Sequence, residues 1–132
     1  MNKFLLPILI STVLISGCKN PFEAKDKGID QLNNIEQRWI DASTLISSTS
    51  RIALAPQVAN LQEMKRDLNV IEVSECLTPA KNELNEYIEM EIDVYLKFMA
   101  DELSDSYTVS QKKKMLEKVT NYRTLKSKCT GE

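Results

Sequence analysis

Cysteines at positions 18, 76 and 129 are the most reactive side chains of this chain, which contains no histidine. Without histidine, the Ser-His-Asp triad, histidine acid-base catalysis and the histidine-containing zinc and di-iron sites are excluded. The three glycines, at 17, 28 and 131, are too scattered to form a phosphate-binding loop. We therefore expect a protein that is not an enzyme and that holds no metal.

A second set of residues with chemical potential is the acidic group Glu83, Glu86, Glu89, Glu91 and Asp93. Such a group could supply a carboxylate pair for glycosidic chemistry or bind a divalent cation. On a helix, however, Glu83 and Glu86 are neighbours on one side, whereas a catalytic pair must face each other across a cleft. We interpret the group as a solvated acidic face, partly matched by the basic helix that follows it.

The third set is a basic run, Lys112, Lys113, Lys114 and Lys118. It is a candidate anion-binding face for lipid headgroups, lipopolysaccharide phosphates or an acidic partner, since each lysine near an anionic surface contributes about 1 kcal/mol. The alternative is a solvated helix face that pairs with the acidic helix. The net charge of −2 argues against a nucleic-acid binder.

The chain begins with Lys3 and an apolar run from Phe4 to Ile15, which ends in small residues and a cysteine. This run is shorter than the roughly 20 residues of a membrane-spanning helix and is typical of a secretory signal. The tetrapeptide Ile15-Ser16-Gly17-Cys18 resembles the lipobox of bacterial lipoproteins. The alternative is an ordinary secretory signal with a chance cysteine.

The lipobox resemblance implies that signal peptidase II cuts between Gly17 and Cys18. Diacylglycerol is then joined to the Cys18 thiol, the new amino group is acylated, and no other cofactor is expected. Two or three acyl chains hold a protein at a membrane stably. In a Gram-negative organism, Lys19 after the lipidated cysteine favours the outer membrane, facing the periplasm. Residues 1–17 are then the signal, 18–28 a lipidated tether and 29–132 the domain.

With Cys18 lipidated, Cys76 and Cys129 remain as an even pair. Exported domains fold in an oxidising compartment, so the pair predicts one disulfide. Two free thiols are the alternative.

Apolar spacing predicts four helices and no sheet. The first carries a stripe from Ile29 to Ile46, the second has Pro56 in its first turn, and the run "VIEV" that follows is loop. The third starts with Thr78 as cap and Pro79 in first position, and continues to about residue 103. Residues 104–110 form a turn before the fourth helix, which begins near Ser110 and reaches Cys129. Trp39 and the tyrosines at 87, 95 and 122 are expected to be core residues.

These elements predict an all-α, up-down bundle of four helices. In that topology the start of helix three and the end of helix four share one pole, where a Cys76–Cys129 disulfide can form. From residue 79 to 105 acids outnumber bases eight to two, and from 109 to 129 bases outnumber acids seven to one. Opposite charge favours the pairing of these two helices, with about 0 to 1 kcal/mol from each exposed pair.

Two hypotheses for function remain open. In the first, the bundle of a cell-envelope lipoprotein binds a protein partner, in an accessory, assembly or inhibitor role. In the second, the bundle holds a small apolar ligand or lipid in an internal cavity lined by residues such as Ile35, Val58, Leu84 and Met99. The stretch from Trp39 to Leu84 also resembles small bacterial proteins in which two helices precede a Cys-Leu-x-x-Ala element, a resemblance that implies no particular function.

Overall fold

The structure, a computed structural model, describes residues 27–131. This part of the chain forms four α-helices: α1 (Ile29–Ser47), α2 (Ala55–Val70), α3 (Thr78–Met99) and α4 (Asp105–Thr130). A short 3-10 helix, Arg51–Ala53, precedes α2, and no strand occurs between residues 27 and 131. The prediction of an all-α four-helix bundle is confirmed. The predicted signal, most of the tether and Cys18 lie outside the described residues.

The core is built from the predicted apolar stripes. Helix α1 buries Leu32, Ile35, Trp39, Ala42 and Ile46, and α2 buries Val58, Leu61, Met64 and Leu68. Helix α3 adds Ala80, Leu84, Ile88 and Ile92. Helix α4 differs from the others, since Tyr122 is its one fully buried side chain within the described range. Three helices therefore make most of the core, and α4 covers one side of it.

Two helix boundaries differ from the predictions. Thr78 is the first residue of α3 rather than its cap, and its hydroxyl donates to the Ser74 carbonyl. Helix α3 ends at Met99 and not near residue 103, because Asp101 takes a left-handed backbone conformation (φ 63°) that stops the helix.

Helix α4 begins at Asp105, within the predicted turn and five residues before Ser110. Its start is set by Ser104, whose hydroxyl accepts a hydrogen bond from the Tyr107 amide. Serine is a strong N-cap, but other polar residues lie beside Ser104 in the sequence, so the local pattern alone does not single it out. Pro56 lies in the first turn of α2 and the residues after Val70 form loop, both as predicted.

The Cys76–Cys129 disulfide joins the start of α3 to the end of α4, with the two Cα atoms 5.8 Å apart. The predicted disulfide is confirmed. We call this end of the bundle the disulfide pole, and the other end, where residues 48–54 and 100–104 connect the helices, the open pole.

The chain also enters the bundle at the disulfide pole. The Ser74 amide donates to the Lys27 carbonyl at 3.0 Å, and Lys27 forms an ion pair with Glu72 at 2.7 Å. Between them Gly28 has φ 86°, and a Cβ atom there would lie 2.5 Å from the Glu72 carbonyl oxygen. Glycine is required at this close approach, which fixes the start of α1 against the α2–α3 connection.

Charge pairing between the last two helices takes place, but only in part. Lys118 of α4 lies 3.3 Å from Glu83 and 2.6 Å from Glu86 of α3. Lys126 pairs instead with Glu36 of α1. The basic residues of α4 therefore hold it to two helices.

Removal of the disulfide should lower the stability of the domain. The bond closes a sequence separation of 53 residues, so the Cys76→Ser/Cys129→Ser double variant should lose about 4 kcal/mol in the free energy of unfolding, because its unfolded chain gains freedom. Urea denaturation measures this loss. A reductant should destabilise the wild type by a similar amount and leave the double variant unchanged; a wild type insensitive to reductant would contradict the prediction.

Candidate functional site

Helices α1 and α4 are held together near the disulfide pole. The Tyr122 hydroxyl donates to Glu36 Oε2 at 2.7 Å, and the Lys126 ammonium pairs with the same carboxylate. Lys126 also donates to Asn33 Oδ1 at 3.0 Å, and Arg123 Nε lies 4.0 Å from Glu36 Oε1. We call Glu36, Tyr122, Arg123 and Lys126 the Glu36 cluster. It is the set of polar contacts that joins the two helices within residues 27–131.

Towards the open pole, α1 no longer covers α4. Val109, Leu116 and Arg123 are spaced by seven residues and so lie on one stripe of α4. Arg123 faces α1, yet Val109 and Leu116 are 70% and 67% exposed. We call the recess over α3 the cleft; it is bordered by α4 on one side and by the end of α1 and the α1–α2 connection on the other.

The cleft contains two adjoining pockets that share Val94 and Tyr95 of α3. The inner pocket, about 200 Å³, lies between α3 and α4 and is lined by Glu91, Val94, Tyr95, Thr108, Gln111, Lys112 and Met115. The outer pocket, about 290 Å³, lies nearer the open pole and is lined by Ile46, Ser47, Thr49, Leu54, Val94, Tyr95, Phe98 and Leu103. Most of these lining atoms are apolar, so the cleft suits apolar groups.

A buried carboxylate stands at the inner end of the cleft. Glu91 is only 4% exposed, and its Oε2 accepts a hydrogen bond from Trp39 Nε1 at 2.7 Å. Its Oε1 accepts from the hydroxyls of Ser43 and Tyr95, at 3.0 and 3.3 Å. The prediction of a solvated acidic face is wrong for Glu91. Its spacing of seven from Leu84 and three from Ile88, both core residues, was the signal that it lies on the buried stripe.

Burial raises the pKa of the Glu91 carboxyl above its ordinary value, while hydrogen bonds from Trp39, Ser43 and Tyr95 oppose that rise. The pKa of the Tyr87 and Tyr95 hydroxyls is also raised, first by burial and then by the nearby charge of Glu91. The Tyr87 ring meets Trp39 edge to face, with centroids 4.7 Å apart. Trp39 is thus a core residue, as predicted, and it also fixes the carboxylate.

Gln111 of α4 contributes a second polar atom to the inner pocket. Its Oε1 is buried and accepts no hydrogen bond from the described residues. A buried acceptor of this kind costs about 1 to 3 kcal/mol when it remains unpaired. The lining of the inner pocket therefore includes two polar groups, the Glu91 carboxylate and the Gln111 amide oxygen, among apolar side chains.

The four lysines of the predicted anion-binding face do not share one face. Lys118 is half-buried in its pairs with Glu83 and Glu86, and Lys112 lines the inner pocket. Lys113 and Lys114 are exposed, and consecutive residues point in different directions on a helix. Within the described range, Lys112, Lys113 and Lys114 form no ion pair with an acidic side chain.

The residues expected to line an internal cavity lie in or against the packed core and not in the cleft. Ile35, Val58 and Leu84 are buried in the closed core, and Met99 packs against it. None of the four lines either pocket of the cleft. The cleft was not predicted, because its walls are set by how far α1 and α4 diverge and not by any local pattern.

Comparisons of the chain with protein families, with curated proteins and with solved structures gave no match. Among residues 27–131, no group of three or more cysteine and acidic side chains is arranged to hold a metal ion. In the same range, no helix has the length and apolar character needed to cross a membrane.

Replacement of Glu91 by glutamine should change how stability depends on pH. Because the folded pKa is raised, the unfolded chain releases its proton first as the pH rises, and the wild type loses stability between the ordinary carboxyl pKa and the raised one. Glu91→Gln cannot ionise. The free energy of unfolding of the wild type relative to this variant should fall as the pH rises above the ordinary carboxyl pKa, as measured by urea denaturation.

The matched control is Glu63→Gln, which makes the same change of charge on the exposed face of α2. It measures the contribution of a surface carboxylate to the pH profile. If the free energy of unfolding of the wild type fell by the same amount relative to Glu63→Gln as relative to Glu91→Gln, the role of burial at Glu91 would be contradicted.

Proposed function

We propose that this protein is a lipid-anchored lipoprotein of the bacterial cell envelope, without enzymatic activity, whose bundle binds a protein partner through the cleft. The lipobox resemblance at Ile15–Cys18 supports the anchor, in the outer membrane where the organism has one. The observation that carries the binding role is the open cleft itself, together with the exposed apolar side chains of Val109 and Leu116, which directly follow the pocket-lining Thr108 and Met115 on α4. Apolar side chains exposed along one wall of a cleft are typical of a protein interface.

The openness of the cleft favours a protein over a small free ligand. Sites for small molecules commonly enclose about 300 to 1,000 Å³ and bury most of the ligand. The two adjoining pockets, of about 200 and 290 Å³, reach that volume only together, and both are open to solvent. Each suits one side chain of a partner whose remaining surface rests on the rim.

The arrangement of acids supports a binding role without catalysis. Glu91 is held by three donors, and Glu83 and Glu86 are paired with Lys118. A hydrolytic carboxylate pair needs both groups free to face a substrate. The acids of α3 are instead engaged in holding α1 and α4.

The location of the cleft fits a tethered domain. The chain enters at the disulfide pole through Lys27 and Gly28, whereas the cleft opens towards the other pole. Helix α1 has 19 residues, or about 28 Å at 1.5 Å per residue. A partner could therefore reach the cleft while the lipid remains in the membrane.

Loss of the apolar wall should abolish capture of the partner. The mature protein is used as bait on envelope extracts, and Leu116→Asp is compared with the wild type by mass spectrometry of bound proteins and lipids. A charge in the cleft must be desolvated on binding, so the partner should be reduced at least about tenfold.

Val70→Asp is the matched control, because Val70 is 80% exposed at the other pole. The partner should bind this variant as it binds the wild type. The proposal fails if the same proteins bind Leu116→Asp and the wild type, or if the bait yields a stoichiometric lipid and no protein.

The anchor has a separate test. Cys18→Ala removes the thiol that would receive diacylglycerol, so its precursor should not be cleaved by signal peptidase II or labelled by radioactive fatty acid. A Cys76→Ala/Cys129→Ala variant should still be cleaved and labelled. Normal labelling of Cys18→Ala would refute lipidation at this residue.

A further inference from the structure

We infer that the partner segment bound in the cleft is an acidic amphipathic helix with two apolar anchor side chains one helical turn apart. This inference rests on the proposed function and adds the class of partner. It follows from the spacing of the two pockets and from the charge of the α4 wall.

The spacing is given by α3, which forms the floor of both pockets. Along α3, Glu91 and Val94 line the inner pocket, and Val94 and Phe98 line the outer pocket. The floor thus covers eight residues, or seven steps of 1.5 Å and about 10 Å, and the two pockets divide it into steps of about one turn. Residues three or four apart on a helix lie about 5 to 6 Å from each other on the same face. A helix along the cleft therefore presents its anchors at the spacing of the pockets.

The charge of the occupant is set by the α4 wall. Lys112 lines the inner pocket and Lys113 is exposed beside it. Neither forms an ion pair within residues 27–131, whereas Lys118 and Lys126 are already paired. Carboxylates beside the anchors would meet Lys112 and Lys113.

Glu91 does not oppose an acidic occupant strongly. Its carboxylate is buried, and Trp39, Ser43 and Tyr95 donate hydrogen bonds to it. The dipoles of these donors point at the carboxylate and weaken its field in the cleft, although its net charge remains. Lys112 lines the same pocket and carries the opposite charge.

Two other occupants fit less well. A second copy of this chain would bring its own α4 lysines against Lys112 and Lys113, and like charges oppose that contact. A bilayer surface is flat on the scale of one domain, whereas the two pockets form a recess over α3. A helix is the convex element that enters such a recess, as in other helix-in-groove interfaces.

The test uses the mature chain from residue 18 with Cys18→Ser, so that no acyl chain competes with the probes. The probes are three blocked alanine-rich peptides of about 15 residues, the length at which such helices become populated. The first carries leucines at i and i+4 with glutamates on its other faces. The second replaces each glutamate by lysine, and the third keeps the glutamates but moves the leucines to i and i+2.

Fluorescence of Trp39, the single tryptophan of the chain, reports binding because its indole contacts Glu91 at the inner pocket. The first peptide should bind about five- to tenfold more tightly than either of the others, the gain expected from two exposed charge pairs or from one seated anchor. The Lys112→Glu/Lys113→Glu variant should reverse the preference for charge and keep the preference for spacing. Lys128→Glu, at the disulfide pole, should change neither.

The inference is overturned if the peptides bind equally or not at all. It is also overturned if phosphatidylglycerol vesicles, rather than the acidic peptide, bind in a way that Lys112→Glu/Lys113→Glu abolishes. If capture of an envelope protein still depends on Leu116 while the peptides fail, the cleft binds a protein of another class. If both fail, the proposed function falls as well.

Discussion

The one-sided attachment of α4 is the constraint on which the rest of the structure depends. Near the disulfide pole, α4 is held by the Cys76–Cys129 bond, by buried Tyr122 and by the Glu36 cluster. Its first half has no fully buried side chain among the described residues. A helix with little apolar burial gains little from lying against its neighbours. It can therefore diverge from α1 and leave the cleft open.

Glu91 gives that cleft a firm floor. A buried carboxylate is costly unless it is well hydrogen-bonded, and here donors from α1 and α3 meet at one group. The network ties α1 to α3 directly beneath the point where α4 moves away. Because Trp39 is packed against Tyr87, the direction of the donor is fixed as well. The floor is thus held by polar geometry in a region where the fourth helix adds little packing.

Much of this fold could be predicted from the sequence, for identifiable reasons. The apolar stripes of α1 and α2 have regular helical spacing, and every core residue of α1 was expected from it. Cys76 and Cys129 were the one even pair that a short up-down bundle can bring together. The features that the sequence did not predict depend on tertiary contacts or on a single polar atom. Ser104 starts α4 because its hydroxyl accepts a single amide hydrogen bond. Glu91 resembled its exposed acidic neighbours although its position on the helix was that of a core residue.

The cleft could not be predicted from the sequence for a different reason, which concerns the way α4 is attached to its neighbours. Met115, Val119, Tyr122 and Leu125 recur on α4 at the spacing of a buried stripe, but of these only Tyr122 is fully buried. Opposite charge brings α4 against α3 through Lys118, while Lys126 turns to Glu36 of α1 only near the disulfide pole. In the first half of α4 the Tyr107 hydroxyl donates to Asp93 of α3, whereas the described residues show no polar contact there with α1. Val109 and Leu116, both in that half, remain exposed. The same charge pattern that selects the neighbour of α4 thus leaves an open recess, which is where we propose that a partner helix binds.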